Sequence, residues 1–141
     1  MRTDYGLRAA IELAARFGEP PVSSGEVASR QEIPEPYLDQ LLVTLRKAGI
    51  VRSTRGPLGG HALARDPRDV SVGEVVAALE GHAQPSACFD ERGQCQLGPI
   101  CPQREVWTDL ERLVWERLQG ITLADLVARQ SQLESRAMYY I

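Results

Sequence analysis

The chain has 141 residues, of which 43% are hydrophobic and 25% charged, so it has the size and composition of one globular domain with its own core. No apolar run approaches the roughly 20 residues that a membrane-spanning helix requires, and the opening residues lack the pattern of a secretory signal peptide. The net charge is −3 and the chain has only three cysteines. Together these features predict a soluble, cytoplasmic protein that does not bind membranes.

Two helices are predicted at the start of the chain. The segment 4–17 has apolar residues at helical spacing and charged residues on the opposite face, which indicates an amphipathic helix. Gly18 and two following prolines end it. Ser23 and Glu26 have the spacing of a capping box, so we expect a second, short helix over residues 24–31.

A third helix is predicted over residues 35–48, ended by Gly49. It carries leucines on one face and polar side chains on the other. Two short helices joined by a brief turn, the second with a polar outer face, are typical of a helix-turn-helix, whose second helix enters the DNA major groove. An ordinary helical hairpin explains the same pattern equally well, so the helices alone do not decide. The leucines are Leu38, Leu41, Leu42 and Leu45.

A β-hairpin is predicted next, because residues 50–54 and 61–65 have strand character and the RGPLGG segment between them forms a turn. A hairpin directly after a helix-turn-helix is a wing, and a wing arginine can enter the minor groove. A phosphate-binding loop is disfavoured, since the lysine and the following helix of that motif are missing. Residues 40–65 include no acid and five basic residues, as expected of a DNA-binding surface, although solvated faces also carry such runs: Arg46, Lys47, Arg52, Arg55 and Arg65.

Helices are also predicted in the second half of the chain. Ser71 and Glu74 repeat the capping-box spacing and begin one of them. After Cys101 a longer helix carries a wide apolar stripe, which predicts burial against a second copy in a homodimer. A last, short helix is predicted over residues 123–129, and the tail 131–141 shows no clear pattern. The stripe consists of Val106, Trp107, Leu110, Leu113, Val114 and Leu118.

All three cysteines, Cys88, Cys95 and Cys101, lie in one segment rich in glycine, proline and charge. Buried structural cysteines stand among apolar residues instead, and disulfide pairing would leave an odd thiol. Neither spacing is the C-x2–4-C of most zinc sites, whereas iron–sulfur clusters accept varied spacings and non-cysteine ligands. The three thiolates therefore favour an iron–sulfur cluster that needs one further ligand.

Four segments, together with the three cysteines, resemble the IscR/NsrR-type iron–sulfur transcriptional regulators over nearly the whole chain: TDYGLRAAIELA, IPEPYLDQLLVTLRKAGIVRSTRGPLGGHALARDP, VSVGEVVAALEG and ITLADLV. The resemblance implies a mainly α fold with a small β-hairpin, that is, a winged helix-turn-helix followed by a long dimerisation helix. It implies a homodimeric repressor, not an enzyme, that binds a double-stranded DNA operator. A [2Fe-2S] or [4Fe-4S] cluster would sense nitric oxide, redox state or cluster and iron supply, with no small-molecule substrate.

The resemblance also assigns DNA contacts. Tyr37, Asp39 and Gln40 match recognition-helix positions that turn towards bases, and Arg55 matches the wing arginine. A glutamine can pair with adenine and a short carboxylate can accept from cytosine. Phosphates are the expected partners of the remaining cations of this region, which are Arg46, Lys47 and Arg52.

The fourth cluster ligand is where the chain departs from IscR-type proteins. Three residues after the third cysteine they carry a histidine ligand, but Arg104 stands here, and a guanidinium cannot donate to iron. Asp4 matches the aspartate that NsrR-type sensors supply from the partner's first helix, and a carboxylate beside three thiolates would be labile. Asp4 could otherwise simply favour its helix N-terminus. Rival ligands are His82, Asp90 and Glu91.

We expect a DNA-binding domain over residues 1–81, a cluster loop over 82–101, and the dimerisation and C-terminal helices over 102–141. The main alternative function is a cluster-free winged-helix regulator that is switched by cysteine oxidation or holds zinc. A dehydratase of the aconitase kind is disfavoured, because a winged helix leaves too little chain for a substrate pocket. Two wing residues, Leu58 and His61, depart from the glycine and tyrosine common in related wings.

Overall fold

The computed structural model describes residues 2–81 and 97–139. Within these ranges the chain forms helices and one antiparallel β-hairpin, which confirms the predicted fold class. Short 3-10 helices cover Pro67–Asp69 and Gly98–Ile100. The longer elements are α1 (Arg2–Ala15), α2 (Ser24–Gln31), α3 (Glu35–Lys47), β1 (Val51–Thr54), β2 (Gly60–Leu63), α4 (Val72–Glu80), α5 (Pro102–Gln119) and α6 (Leu123–Tyr139).

Side-chain caps set the starts of α2 and α4, as the sequence predicts. The Ser23 hydroxyl accepts a hydrogen bond from the backbone N–H of Glu26 at 3.2 Å, and the Ser71 hydroxyl accepts one from Glu74 at 3.0 Å. Each bond satisfies an N–H that has no partner inside its helix. The two helices therefore begin where the local sequence places them.

One hydrophobic core contains residues from the four helices α1, α2, α3 and α4, from the hairpin and from α6. The four leucines of α3 are all buried in it, together with Leu13 of α1 and Val75 of α4. Leu123, at the start of α6, is completely buried in the same core. The predicted boundaries near residues 81 and 101 stay a prediction.

The hairpin is fixed to the chain segment that precedes α2. Val51 pairs with Leu63 at its base and Thr54 with Gly60 near its tip. Across an isolated bridge, Val22 N–H donates to the His61 carbonyl at 2.9 Å, and His61 N–H donates to the Val22 carbonyl at 2.7 Å. The orientation of the hairpin relative to α2 and α3 is thus set by backbone hydrogen bonds.

Helix α6 is much longer than predicted. The sequence analysis expected a short helix over residues 123–129, but α6 continues to Tyr139. That prediction was wrong because residues 130–139 contain no proline or glycine and are mostly good helix formers. A reciprocal capping box starts the helix: Asp125 N–H donates to the Thr122 hydroxyl at 3.1 Å, and Thr122 N–H donates to the Asp125 carboxylate at 3.0 Å.

Helix α5 has no buried residue, and its apolar stripe lies on the surface. Val106, Leu110, Leu113 and Val114 are 43–56% exposed. None of the helices in the described ranges has the length and hydropathy needed to cross a bilayer.

Candidate nucleic-acid interface and cluster ligands

The outer face of α3 carries two of the predicted base-reading residues in the open. Asp39 and Gln40 are both exposed, on the side of the helix opposite its buried leucines. Tyr37 is half-buried, and its ring packs edge-on against Tyr5 of α1, with the ring centroids 5.7 Å apart. Tyr37 therefore also anchors the start of α3 to α1, a role that the sequence analysis did not predict.

Four of the five cations between residues 40 and 65 remain available to a ligand. They are exposed, and within the described ranges none of them takes part in an ion pair. Arg65 differs, because it forms an ion pair with Glu74 of α4 and donates to the Asp69 carbonyl. Its charge serves to hold β2 to α4. The four available cations are Arg46, Lys47, Arg52 and Arg55.

His61 lies between the hairpin and α3. Its Nδ1 is 2.9 Å from the hydroxyl of Ser53, the residue paired with it across the hairpin. Burial lowers the pKa of His61 below its ordinary value of 6.5; the nearby Arg46 also lowers it, while Asp39 acts in the opposite direction. The imidazole is therefore neutral at neutral pH, and the hairpin gains no charge from it.

The sequence analysis missed Arg2, a basic residue that lies beside the polar outer face of α3. Its guanidinium donates to the Thr44 hydroxyl at 3.3 Å, and that hydroxyl donates to the Gln40 carbonyl at 3.1 Å. The first turn of α1 is thus placed next to the side of α3 that carries Gln40. No local pattern reveals this contact, because the two side chains are 42 residues apart in sequence.

Asp4, the predicted fourth cluster ligand, lies in the first turn of α1 and is exposed. Its carboxylate forms an ion pair with Arg8 at 3.1 Å, and both side chains are about half exposed. Arg8 also lies over the Tyr5 ring, 5.7 Å from its centroid. An exposed pair of this kind contributes at most about 1 kcal/mol, so it would not prevent the carboxylate from binding a metal.

Cys101 directly precedes α5 and is a half-buried free thiol. Cysteine binds iron through its sulfur atom. Cys101 lines an open depression together with Arg104 and the carboxylates of Glu105 and Asp109. Five residues that the sequence analysis considered as ligands lie outside the described ranges: Cys88, Cys95, His82, Asp90 and Glu91.

The donor set fits an iron–sulfur cluster by its chemistry. Three cysteines within one short stretch of sequence suit such a cluster, and a carboxylate can complete the ligand set. Residues 2–81 and 97–139 by themselves contain no group of three histidine, cysteine or acidic side chains arranged to hold a metal ion.

Known proteins resemble the chain over most of its length. Residues 1–129 match the profile of the Rrf2 family, described as iron-dependent transcriptional regulators. The chain is 39% identical over 126 residues to protein rrf2 of Nitratidesulfovibrio vulgaris, covering 89% of this chain and 84% of that protein. It is 38% identical over 130 residues to the HTH-type transcriptional regulator IscR of Sodalis glossinidius, covering 92% of this chain and 78% of that protein.

Solved structures show the same fold. The structure of T. potens IscR is 41% identical, with a TM-score of 0.76, and the match covers 92% of this chain and 85% of that one. CymR of B. subtilis, described as the global cysteine regulator, is 34% identical, with a TM-score of 0.77 and coverage of 92% and 95%. The helices and hairpin described above therefore form the winged-helix architecture of these regulators.

Proposed function

Because the chain belongs to the Rrf2 family of transcriptional regulators, we propose that it is a homodimeric DNA-binding repressor whose operator affinity is controlled by an iron–sulfur cluster. Its relatives are named transcriptional regulators, so the chain is a regulator and not an enzyme. The observation that carries the DNA part is the exposed polar face of α3 beside the four available cations, on elements joined by one core. Such a surface matches the charge and groove width of duplex DNA.

The exposed residues divide into two kinds of DNA contact. Asp39 and Gln40, which are exposed, and the phenol of Tyr37 would face base edges in the major groove, where an amide can pair with adenine. Arg55 in the hairpin would enter the minor groove. Phosphate contacts would come from Arg46, Lys47 and Arg52, and Arg2 adds a further candidate.

A second copy of the chain is the proposed partner of α5. The apolar side chains of its stripe stand at helical spacing and are about half exposed, which is costly in water. A C2 dimer would bury them against their own copies. It would also present two recognition helices to two half-sites on the duplex.

For the cluster, we propose the thiolates of Cys88, Cys95 and Cys101 and the carboxylate of Asp4 from the partner subunit as ligands. The cluster would supply a centre that reacts with nitric oxide or oxidants and responds to iron supply. Exposure of Asp4 supports its reach to a second chain. Glu105, in the depression beside Cys101, is a further rival ligand from the same subunit, in addition to His82, Asp90 and Glu91.

A cluster ligand at Asp4 would be coupled to α3 through Tyr5, the residue next to Asp4 in sequence. Tyr5 packs against Tyr37, and Arg2 contacts Thr44, so the first turn of α1 touches α3 at two places. Binding or losing iron at Asp4 would shift this turn and with it the start of α3. Operator affinity would then differ between the cluster-bound and cluster-free protein.

The DNA part is tested by selecting duplexes from a random pool with the purified protein. We expect a site with two related half-sites, bound by a dimer in analytical ultracentrifugation. Leu113→Glu, which puts a charge into the apolar stripe, should yield monomer and weak DNA binding. Recovery of no common sequence would contradict the proposal.

The cluster part is tested by anaerobic purification with iron and sulfide analysis and absorption spectra. We expect sulfide-to-iron charge-transfer bands that change in Asp4→Asn but not in Glu105→Gln, the same carboxylate-to-amide change at the rival ligand. The reverse result would assign the ligand to the same subunit. Equal operator affinity of the cluster-bound and cluster-free proteins would contradict control by the cluster.

A cluster-free thiol sensor is the second candidate, favoured by the similarity to CymR, which is described as a cysteine regulator. Oxidation of Cys88, Cys95 and Cys101 of this chain would then switch DNA binding. A colourless, iron-free protein whose operator affinity changes reversibly with peroxide and dithiothreitol would support this function. Stoichiometric zinc in the same preparation would indicate a structural site instead.

A further inference from the structure

The tip of the hairpin carries one apolar side chain in full contact with water. Leu58 is 90% exposed, and it stands between Pro57 and Gly59. Exposing a leucine to this degree forgoes the free energy that burial of the side chain would provide. Leu58 has no core to reach from this position, so any burial must come from a ligand.

Leu58 lies in a hydrogen-bonded turn. Gly59 N–H donates to the Gly56 carbonyl at 2.9 Å, which closes a turn with Pro57 and Leu58 at its centre. A side chain at Gly59 would meet the Thr54 carbonyl, so the two strands approach closely here. A rigid tip loses little conformational entropy when it binds, which favours its use as a contact.

The surroundings of Leu58 indicate the chemistry of that ligand. Arg52 and Arg55 of the same hairpin are exposed and not ion-paired within the described ranges, so the tip is an apolar point on a cationic arm. The bridge between Val22 and His61 fixes this arm relative to α3. With α3 in a major groove, the adjoining minor groove is the part of the duplex that this arm could reach.

We propose that Leu58 is an apolar wedge that enters the minor groove, partly unstacks one base step and bends the operator. Proteins that insert leucine or other apolar side chains into the minor groove bend DNA towards the major groove in this way. Arg55 would contact the groove beside it. This inference rests on the proposed DNA-binding function and adds a residue that selects operators by deformability, since flexible pyrimidine–purine steps open at least cost.

The test uses a duplex selected by the wild-type protein, with 2-aminopurine placed in turn at each adenine and a donor–acceptor dye pair at the ends. Wild type should raise 2-aminopurine fluorescence at one step and shorten the end-to-end distance. Leu58→Gly should lose both effects and about tenfold in affinity, the order expected for one leucine burial partly offset by unstacking. Leu58→Met should keep most of both.

Salt dependence separates the wedge from an ordinary cationic contact. Leu58→Gly should leave the slope of log affinity against log salt unchanged, whereas Arg55→Ala should reduce it by about one. Met138→Ala is the matched control, because Met138 is also an exposed apolar residue, at 78%, but lies near the end of α6. This variant should behave as wild type.

Unchanged bending and 2-aminopurine fluorescence in Leu58→Gly would overturn the wedge while the DNA-binding function stands. So would loss of binding to phosphatidylglycerol vesicles in Leu58→Gly with bending intact, which would assign the tip to a membrane surface. Selection of no duplex by the wild-type protein would instead remove the DNA-binding function and the wedge together.

Discussion

Substitution of Gly60 by alanine should break the backbone bridge between the hairpin and the segment that precedes α2. Gly60 has a φ of +148°, and a Cβ atom there would lie 2.4 Å from the Val22 carbonyl oxygen and 2.6 Å from its carbon. The obstacle is backbone rather than the end of a flexible side chain. The Gly60→Ala strand must therefore move away from the segment before α2.

The expected cost follows from the contacts that this movement breaks. The two hydrogen bonds between Val22 and His61, at 2.9 and 2.7 Å, would be lost. At about 0.5–1.5 kcal/mol net for each bond, they contribute about 1–3 kcal/mol. Gly56→Ala supplies the control, because Gly56 has a φ of +107° but its Cβ would meet no atom within 4 Å. It carries the backbone strain of alanine at positive φ, about 1–3 kcal/mol, without the collision.

Urea unfolding followed by circular dichroism, at one fixed protein concentration because the proposed dimer makes stability concentration-dependent, measures the difference. Gly60→Ala should be less stable than Gly56→Ala by about 1–3 kcal/mol, the net contribution of the two bonds. Its operator affinity should also fall further, because the bridge no longer fixes the orientation of the hairpin, whose base stays in the core. Equal stability of the two variants would refute the argument that the bridge fixes the wing.

Three further predictions concern single side chains. Glu12 is 6% exposed and forms ion pairs with two arginines, so Glu12→Gln should lower the free energy of unfolding by about 1–3 kcal/mol in urea. Asp109→Asn breaks only an exposed ion pair and should lower it by less than about 0.5 kcal/mol. The fold lowers the pKa of His61, so the contribution of this residue to stability should be complete above pH 6.5, its ordinary pKa, and decrease as the pH falls below that value. Between pH 7.5 and 5.5 the free energy of unfolding should therefore fall more in the wild-type protein than in His61→Gln. In binding titrations on selected and mutated duplexes, Gln40→Ala should relax base preference at one position, whereas Lys47→Ala should weaken all sites and reduce the salt slope by about one.

Local sequence patterns were sufficient for most of the fold. Ser23 and Ser71 placed the starts of two helices because a cap is a contact between residues three apart. The glycine-rich segment predicted the hairpin because its turn is likewise closed by a contact between residues three apart, Gly56 and Gly59. The extent of α6 was missed, since the sequence analysis looked for an apolar pattern where helix propensity alone extends the helix over an exposed face.

Contacts between distant parts of the sequence could not be predicted in this way. The pairing of Arg2 with Thr44, of Tyr5 with Tyr37 and of Val22 with His61 depends on how the elements pack, and no residue pattern encodes it. These contacts decide which exposed residues share one surface. The candidate DNA contacts were named from the family resemblance and from the local run of basic residues, and their assignment stays a prediction.

The first turn of α1 brings three proposed roles within four residues, which limits how much free energy a cluster must supply. Arg2 contacts α3, Asp4 is the proposed ligand, and Tyr5 supports Tyr37. A tenfold change in operator affinity requires a difference of about 1.4 kcal/mol between the two states. One aromatic pair, at about 0.5–1.5 kcal/mol, and one net hydrogen bond, at about 1 kcal/mol, together reach that value. If the proposed cluster acts at Asp4, movement of this terminal helical turn, the part of a helix that opens most easily, would therefore be enough to switch DNA binding without rearranging the core.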